Sequence, residues 1–489
     1  MPNDDGENDS AGERSEVAVV VLGDIGRSPR MCNHAKMLAD EGFDVKIIGF
    51  YDSIPGEVIT DHPRIKIVGI LPPPDMKSVP AIIQLPIKLI WNFFTLIFAL
   101  TFQTSSFRLR IILMQNPPAL PTMLVCYLVS RLKCANFTID WHNYMYSILK
   151  DKYNLNDKQL KENSRKARIV RCVSFLEGLC GRLSDHNLCV TEAMRADLIE
   201  RWGVKATTFY DRPPTWTFKE TTLETVHELY WRLSQTEDIL KGEGTEGTVL
   251  TRRDPDGLPI LQHNRPLVLL SSTSWTPDEK FEILLDALVE YDELATDSSK
   301  NLPRILMIIT GKGPLKTSYL EEIQRKNLGK VDVLTPWLEA EDYPTILASA
   351  DLGISLHTST SGVDLPMKVV DMFGAKVPVL AKRFKCIDEL VKENTNGYLF
   401  DDSEQLARQI CELSRGFPSN CPELNRLKRN MHEWEFESWE VMWKRSAAPG
   451  AQLTLPDDNG AAKLRATAQV LFLVIMAIMP IHLAMGTFL

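Results

Sequence analysis

Between Val17 and Gly23 the chain reads VAVVVLG, a stretch with no polar side chain. A short, continuous apolar run is the mark of a parallel strand buried on both faces. It opens a series. Helix-like MCNHAKMLADEGF follows, then DVKIIGF, RIKIVGIL and RIILMQN, then helix-like LPTMLVCYLVSRL, then NFTID. Apolar runs alternating with helical patterns make βαβ units, and hence an open parallel sheet. The series goes on through a helix, strand HNLCV, the helix start TEAMRADLIERWG and ATTFYDRPP, a strand ending in a Pro-rich turn.

A second series starts at Pro266, with PLVLLSSTS, RILMIITGKG, VDVLTPW, DLGISLHTS and VPVLAK as strands. The fold class read from this rhythm is α/β: two doubly wound, Rossmann-like domains facing a central cleft, plus an apolar C-terminal helix. The expected boundaries are a disordered tail 1–15, a first domain 16–215, a linker with a flexible loop 216–265, a second domain 266–445, a linker 446–465 and an anchor 466–489. In such sheets ligands sit beyond the carboxyl ends of the strands.

The formal charge of −9 leaves no basic footprint for nucleic acid. Nine cysteines without CxxC pairs point to a reducing compartment and away from a disulfide framework or zinc site. The start, MPNDDGENDSAGERSE, has no apolar h-region, so it does not read as a secretory signal. At the other end, 466–489 carries no Asp, Glu, Lys or Arg and follows Lys463 and Arg465. Its length suits a bilayer core, and the preceding cations favour a cytoplasmic body. Residues 80–103 form a second apolar stretch. A span there would separate two strands of one sheet, and Gln84, Lys88 and Asn92 recur every fourth residue. It is expected to lie on a membrane surface, the alternative being a helix packed on the sheet.

The chemistry concentrates at strand ends. After NFTI come Asp140, Trp141, His142, Asn143, Tyr144 and Tyr146, a crowd of hydrogen-bonding groups. GDIGRSPR, after the first strand, offers Gly23 and Gly26 for close backbone approach and Arg27 and Arg30 for a phosphate-bearing ligand. It lacks GxGxxG spacing, so a dinucleotide fold is not supported. In the second series Ser274 follows one strand and Gly311-Lys312-Gly313 another, where glycines admit a phosphate and Lys312 neutralises it. TSTSGVDLPMKVVDMFG brings Ser361 and Gly362 into a helix starting near Leu365–Pro366, with Lys368 in its first turn and Asp371 three residues on. A helix start draws anions, and a carboxylate at 371 suits ribose hydroxyls. An ordinary surface pair at 368 and 371 is the competing reading. No metal-ligand cluster stands out, and no cofactor is expected.

GDIGRSPRM, QNPPALPTM, IDWHNYMYSI, LSDHNLCVTEAMR, SSTSWTPDEKF, ITGKGPL, TPWLEAEDYP, SADLGISLHTSTSGVDLPMKVVDMFG and FKCIDELV occur in this order. Together, across roughly 16–440, they resemble the chitobiosyldiphosphodolichol beta-mannosyltransferase family. The resemblance implies a GT-B fold, with GDP-mannose as donor and GlcNAc2-diphosphate-dolichol as acceptor. It implies a β-1,4 linkage made with inversion on the cytosolic face of the endoplasmic reticulum membrane. Membrane lipid and other enzymes of the same pathway are the further partners implied. Family members usually carry an N-terminal anchor, whereas here the apolar segment is C-terminal. Enzymes of this fold often have two acids seven residues apart at the donor site. Asp371 takes the second place; the first falls on Val363, with Asp364 one step off.

Inversion asks for one displacement, a base for the acceptor hydroxyl and positive groups for the leaving diphosphate. Lys312, Lys368 and the helix start near Pro366 fit the second task. His142 or Asp140 fits the first, singly or as a pair, unless both only shape the acceptor site. Trp141 and Tyr144 are expected to stack on sugar faces or to pack. Two other readings stand beside this one: a related enzyme with another lipid-linked acceptor or nucleotide-sugar donor, and an inactive membrane scaffold.

Overall fold

The computed structural model describes residues 14–76, 81–273, 275–276 and 279–453. The anchor expected at 466–489, most of the tail expected at 1–15, and Ser274 lie outside the described residues. Contacts divide the chain into two units, 1–210 with 442–489, and 211–441.

The first unit is built on seven parallel strands: β1 (Glu16–Asp24), β2 (Asp44–Phe50), β3 (Ile65–Gly69), β4 (Leu109–Asn116), β5 (Asn136–Trp141), β6 (His186–Cys189) and β7 (Thr207–Thr208). Their order is β3-β2-β1-β4-β5-β6-β7. Val17 pairs with Val45 on one side and Ile111 on the other, and Val17 to Val21 are at most 1% exposed. That central place is why β1 has no polar alternation. The order reverses between β1 and β4, which opens a crevice at the strands' carboxyl ends.

In the second unit a hairpin, β8 (Thr251–Arg253) against β9 (Pro259–Leu261), precedes the main sheet. Six parallel strands follow: β10 (Leu267–Ser272), β11 (Ile305–Thr310), β12 (Val331–Leu334), β13 (Leu352–Ser355), β14 (Val379–Lys382) and β15 (Gly397–Phe400). Their order is β12-β11-β10-β13-β14-β15, reversing between β10 and β13. Alternate residues feed opposite faces, as period two requires. Leu267, Leu269, Ile305 and Met307 join one core layer, and Val268, Leu270, Leu306 and Ile308 the other.

Three expectations are corrected here. Residues 216–265 are not a linker: Leu223–Ser234 is a helix whose Val226, Leu229, Tyr230 and Leu233 enter the second unit's core. Within the stretch expected to be a flexible loop, Asp254 closes the hairpin turn, accepting from the backbone N–H groups of Asp256 and Leu258 at 2.9 Å each. Finally, the units part at 210/211 and 441/442 rather than 215/216 and 445/446, so 442–453 belongs with the first unit.

The apolar stretch at 80–103 forms the helix Ala81–Phe102. Leu96, Ala99 and Leu100 are buried, and the helix packs against Thr122–Leu132. Lys133 Nζ donates to the carbonyls of Thr101 and Thr104, both at 2.8 Å, tying down its C-terminal end. Ile87, Ile90, Phe94, Phe98 and Phe102 lie on one exposed face, three or four residues apart. With β3 and the residues after it, that face lines an apolar groove of about 790 Å³. One face of the helix therefore packs, as in the packed-helix alternative, and the other stays open and apolar.

Candidate functional site

In the first unit the site grows from β5. Asp140, its penultimate residue, points inward and is fully buried. Arg30, on the helix Pro29–Asp40, clamps it: Nε donates to Oδ2 at 2.7 Å and Nη2 to Oδ1 at 2.9 Å. The guanidinium lies 4.6 Å from the Phe209 ring centroid and also donates to the Phe209 carbonyl at 3.1 Å. One helical turn on, His34 Nε2 faces Oδ2 at 3.2 Å. His142 Nε2 reaches the same oxygen at 2.8 Å, with its side chain one-fifth exposed. Burial alone would raise the Asp140 carboxyl; Arg30, His142 and the hydrogen bonds hold it well below the usual carboxylate range.

Asp140 is thus enclosed, with both oxygens engaged by Arg30; of the expected catalytic pair only His142 is partly exposed. Its backbone N–H donates to the Asn116 carbonyl at 2.9 Å, continuing the strand pairing.

The expected acceptor contacts are largely corrected. Trp141 and Tyr144 are 0% and 1% exposed, packed with Tyr146 and Trp202, so their faces are not open to a sugar. Trp141 Nε1 donates to Asn187 Oδ1 at 2.8 Å. Gly26 is needed for the chain's own packing: a Cβ there would lie 2.5 Å from the Ser53 carbonyl oxygen. Arg30 serves Asp140 rather than a phosphate. Gly23 ends the apolar run of β1, where the register with β2 shifts. Arg27 is solvent-exposed, 3.4 Å from Asp24.

Sequence reasoning passed over Glu177. From the helix Arg165–Leu183 its buried carboxylate accepts from Met145 N at 2.7 Å, Tyr146 N at 3.0 Å and Asn116 Nδ2 at 3.2 Å. It thereby caps the helix Met145–Lys152 that follows His142. Burial outweighs these donors and pushes its carboxyl up to about 7. A lone acid in the apolar run FLEGLC was the available signal.

In the second unit a pocket of about 520 Å³ opens beyond the carboxyl ends of β10, β11 and β12. Ser272, Gly311, Lys312, Lys316, Tyr343 and Lys368 line it, with Trp337 at its wall. Gly311 has φ +116°, and a Cβ there would lie 1.9 Å from the Thr273 carbonyl oxygen, so only glycine fits. Lys312 Nζ sits 3.7 Å from the Trp337 ring centroid. Lys368 Nζ donates to Glu279 Oε1 at 2.6 Å, and Glu279 also accepts from the Thr273 hydroxyl. Glu279 was not singled out from the sequence. Asp371 is reached through Tyr343, whose hydroxyl lies 3.4 Å from Asp371 Oδ2 and 3.2 Å from Ser272 Oγ.

Gly311, Lys312 and Lys368 are thus gathered around one pocket, with Asp371 behind Tyr343. Gly313 is in the turn before the helix Lys316–Lys326 and does not line the pocket. Ser361 and Gly362 do not line it either. Their loop closes on itself: Ser361 Oγ donates to Asp364 Oδ1 at 3.0 Å, and Gly362 N to Ser359 Oγ at 2.7 Å. Asp364 is consumed by that loop. Three lysines at strand and helix ends make the pocket suited to a diphosphate.

The family model described as "Glycosyl transferases group 1" matches residues 265–415. A Homo sapiens protein named chitobiosyldiphosphodolichol beta-mannosyltransferase is 42% identical over 440 residues, covering 88% of this chain and 92% of that protein. An Arabidopsis thaliana protein named UDP-glycosyltransferase TURAN is 40% identical over 467 residues, covering 90% and 97%. Among solved structures, Anabaena HepE in complex with UDP and glucose matches with a TM-score of 0.56 at 15% identity, over 88% of this chain and 98% of that one. A Rickettsia africae glycosyltransferase matches with a TM-score of 0.55 at 13% identity, over 90% and 99%. These likenesses show the fold, which is GT-B as expected. With identities above 40% over most of both chains, the protein belongs to the chitobiosyldiphosphodolichol beta-mannosyltransferase family and is a glycosyltransferase.

Proposed function

We propose that this protein is an inverting β-1,4-mannosyltransferase. It moves mannose from GDP-mannose to GlcNAc2-diphosphate-dolichol, the first mannosylation in lipid-linked oligosaccharide assembly. The observation that carries this reading is His142, the one imidazole at the carboxyl end of β5 that is both partly open and held by a buried carboxylate. The names of the relatives supply the acceptor class.

In this reading the second unit binds the donor. Lys312, Lys316 and Lys368 neutralise the diphosphate, and the bond from the anomeric carbon to the diphosphate oxygen breaks with its electron pair passing to GDP. The acceptor hydroxyl forms the new bond from the opposite face, and its proton passes to the ring of His142. Asp140 stays ionised and stabilises the imidazolium, as a carboxylate does when it orients a histidine base. The open apolar face of Ala81–Phe102 supports a location on a membrane carrying the lipid-linked acceptor, namely the cytosolic face of the endoplasmic reticulum.

The purified chain, given GDP-mannose and lipid-linked chitobiose diphosphate, is expected to form the mannosylated lipid, with GDP competing at lower concentrations than UDP. The name of the Arabidopsis relative favours a uridine donor as the rival reading. Preferential transfer from a UDP-sugar would replace the donor proposed here. GDP binding without transfer to any lipid-linked acceptor would favour the inactive scaffold.

A further inference from the structure

The buried cluster behind His142 contains more than a base needs in order to be held. His34 sits on the same face of the helix Pro29–Asp40 as Arg30, four residues on, and is fully buried. Behind it is Trp443, also fully buried, in the π-helical turn Trp443–Ala447. Its indole Nε1 lies 3.0 Å from His34 Nδ1. Such local widenings of a helix are frequent at functional sites.

We infer that His34 and Trp443 are positioning residues: Trp443 holds His34 neutral against Asp140, which leaves the carboxylate to support His142 as it takes the acceptor's proton. The inference rests on the reading of His142 as the base.

The argument follows from what each group can donate. An indole N–H only donates, so His34 Nδ1 must present its lone pair to Trp443. The single proton of a neutral imidazole then sits on Nε2, the nitrogen 3.2 Å from Asp140 Oδ2. A second proton on Nδ1 would set one N–H against another. Burial also lowers the pKa of His34, against the pull of Asp140. His34 is therefore neutral, with Nε2–H on the side of the carboxylate, 3.2 Å from Oδ2.

Asp140, ionised, only accepts. Both its oxygens are engaged by Arg30, and Oδ2 also faces His34. His142 Nε2, at 2.8 Å from that same oxygen, must carry a hydrogen, because the other tautomer would bring two lone pairs together. The lone pair of His142 is thereby confined to Nδ1. Among the described residues no hydrogen bond engages Nδ1. The groups around this chain are Arg30 and His34 from one helix, Asp140 and His142 from β5 and its exit, Trp443, and Cys189 of β6, whose thiol burial pushes up to about 12. Arg30 and Asp140 offset each other, so a neutral His34 leaves Asp140 able to support a positive His142. A charged His34 would compete for that support.

The alternative is that Trp443 and His34 merely fill space. Trp443→Phe separates the two, since it keeps the ring and deletes the N–H. Transfer kinetics for Trp443→Phe, His34→Ala and His34→Gln would be measured beside wild type and His142→Ala. Thermal unfolding would serve as the folding control. Histidine ¹⁵N spectra of the labelled full-length protein would report the tautomers. We expect Trp443→Phe and His34→Ala to lose roughly tenfold in kcat with KM little changed, a minor share of the about 10²–10⁴-fold a general base supplies. His34→Gln, whose amide N–H can still reach Asp140, should recover most of the loss. In wild type His142 should carry its proton on Nε2, and Trp443→Phe should show mixed tautomers at His34.

Wild-type kcat in a folded Trp443→Phe, with His142→Ala inactive, would overturn the positioning role and leave His142 as the base. A wild-type spectrum with the His142 proton on Nδ1 would overturn it without reference to kinetics. Full activity in His142→Ala would overturn the underlying reading and this inference with it.

Discussion

Asp140 is fully buried and Asp371 partly so, and their neighbours move the two carboxyls in opposite directions. Around Asp140, burial is outweighed by Arg30 and His142. Around Asp371, burial dominates, Asp211 adds repulsion, and the Tyr343 hydroxyl and Lys368 only partly oppose it, so the carboxyl rises to about 7. If Asp371 receives the ribose hydroxyls, donor binding favours its ionised form. GDP-mannose affinity should then be weaker below pH 7, rise through about 7 and level off above it. GDP-mannose suits this test because its diphosphate diester does not itself titrate there. Asp371→Asn should abolish the step, as read by calorimetric titration across the range; an unchanged pH profile would remove Asp371 from the ribose site. At this scale the sequence was legible where chemistry is local, as with His142 after a strand, or Lys312 beside a glycine. It was not legible where a partner is distant. Nothing local tells that Arg30 is clamped to a carboxylate 110 residues away, or that Trp141 and Tyr144 turn inward.

The element that most needs explanation is the helix Ala81–Phe102. It is the one described helix long and apolar enough to cross a membrane, yet its end is tied into the first unit by Lys133. A surface location satisfies both facts. In vesicles, a photoreactive lipid should label the peptide spanning this helix, and Phe94→Glu with Phe98→Glu should lower that labelling severalfold. These side chains are 63% and 57% exposed, so the fold should survive the change. Equal labelling of the double variant would mean that Phe94 and Phe98 do not hold the helix against the lipid. Two of the elements that escaped sequence reading did so for different reasons. The helix Leu223–Ser234 had its signals in view: a Thr222 N-cap accepting from Thr225 N at 3.2 Å, and apolar residues at 226, 229, 230 and 233. Its neighbours, rich in Gly and Asp, masked the pattern. By contrast β15 is four residues that begin with a glycine, too short for periodicity to register.

At the scale of the whole chain, the βα rhythm was enough to expect two doubly wound units, because strands buried on both faces leave a strong apolar signature. The return of 442–453 to the first unit was not readable, since a contact such as Trp443 with His34 joins residues 409 apart. The two units divide the chemistry proposed here, with diphosphate-neutralising lysines in one and the proton acceptor in the other. The measurement that tests this account most directly is the turnover of His142→Ala with GDP-mannose and lipid-linked chitobiose diphosphate, both saturating. We expect kcat to fall on the order of 10²–10⁴-fold while donor KM stays close to wild type. Turnover equal to wild type in the folded variant would contradict the assignment of the base.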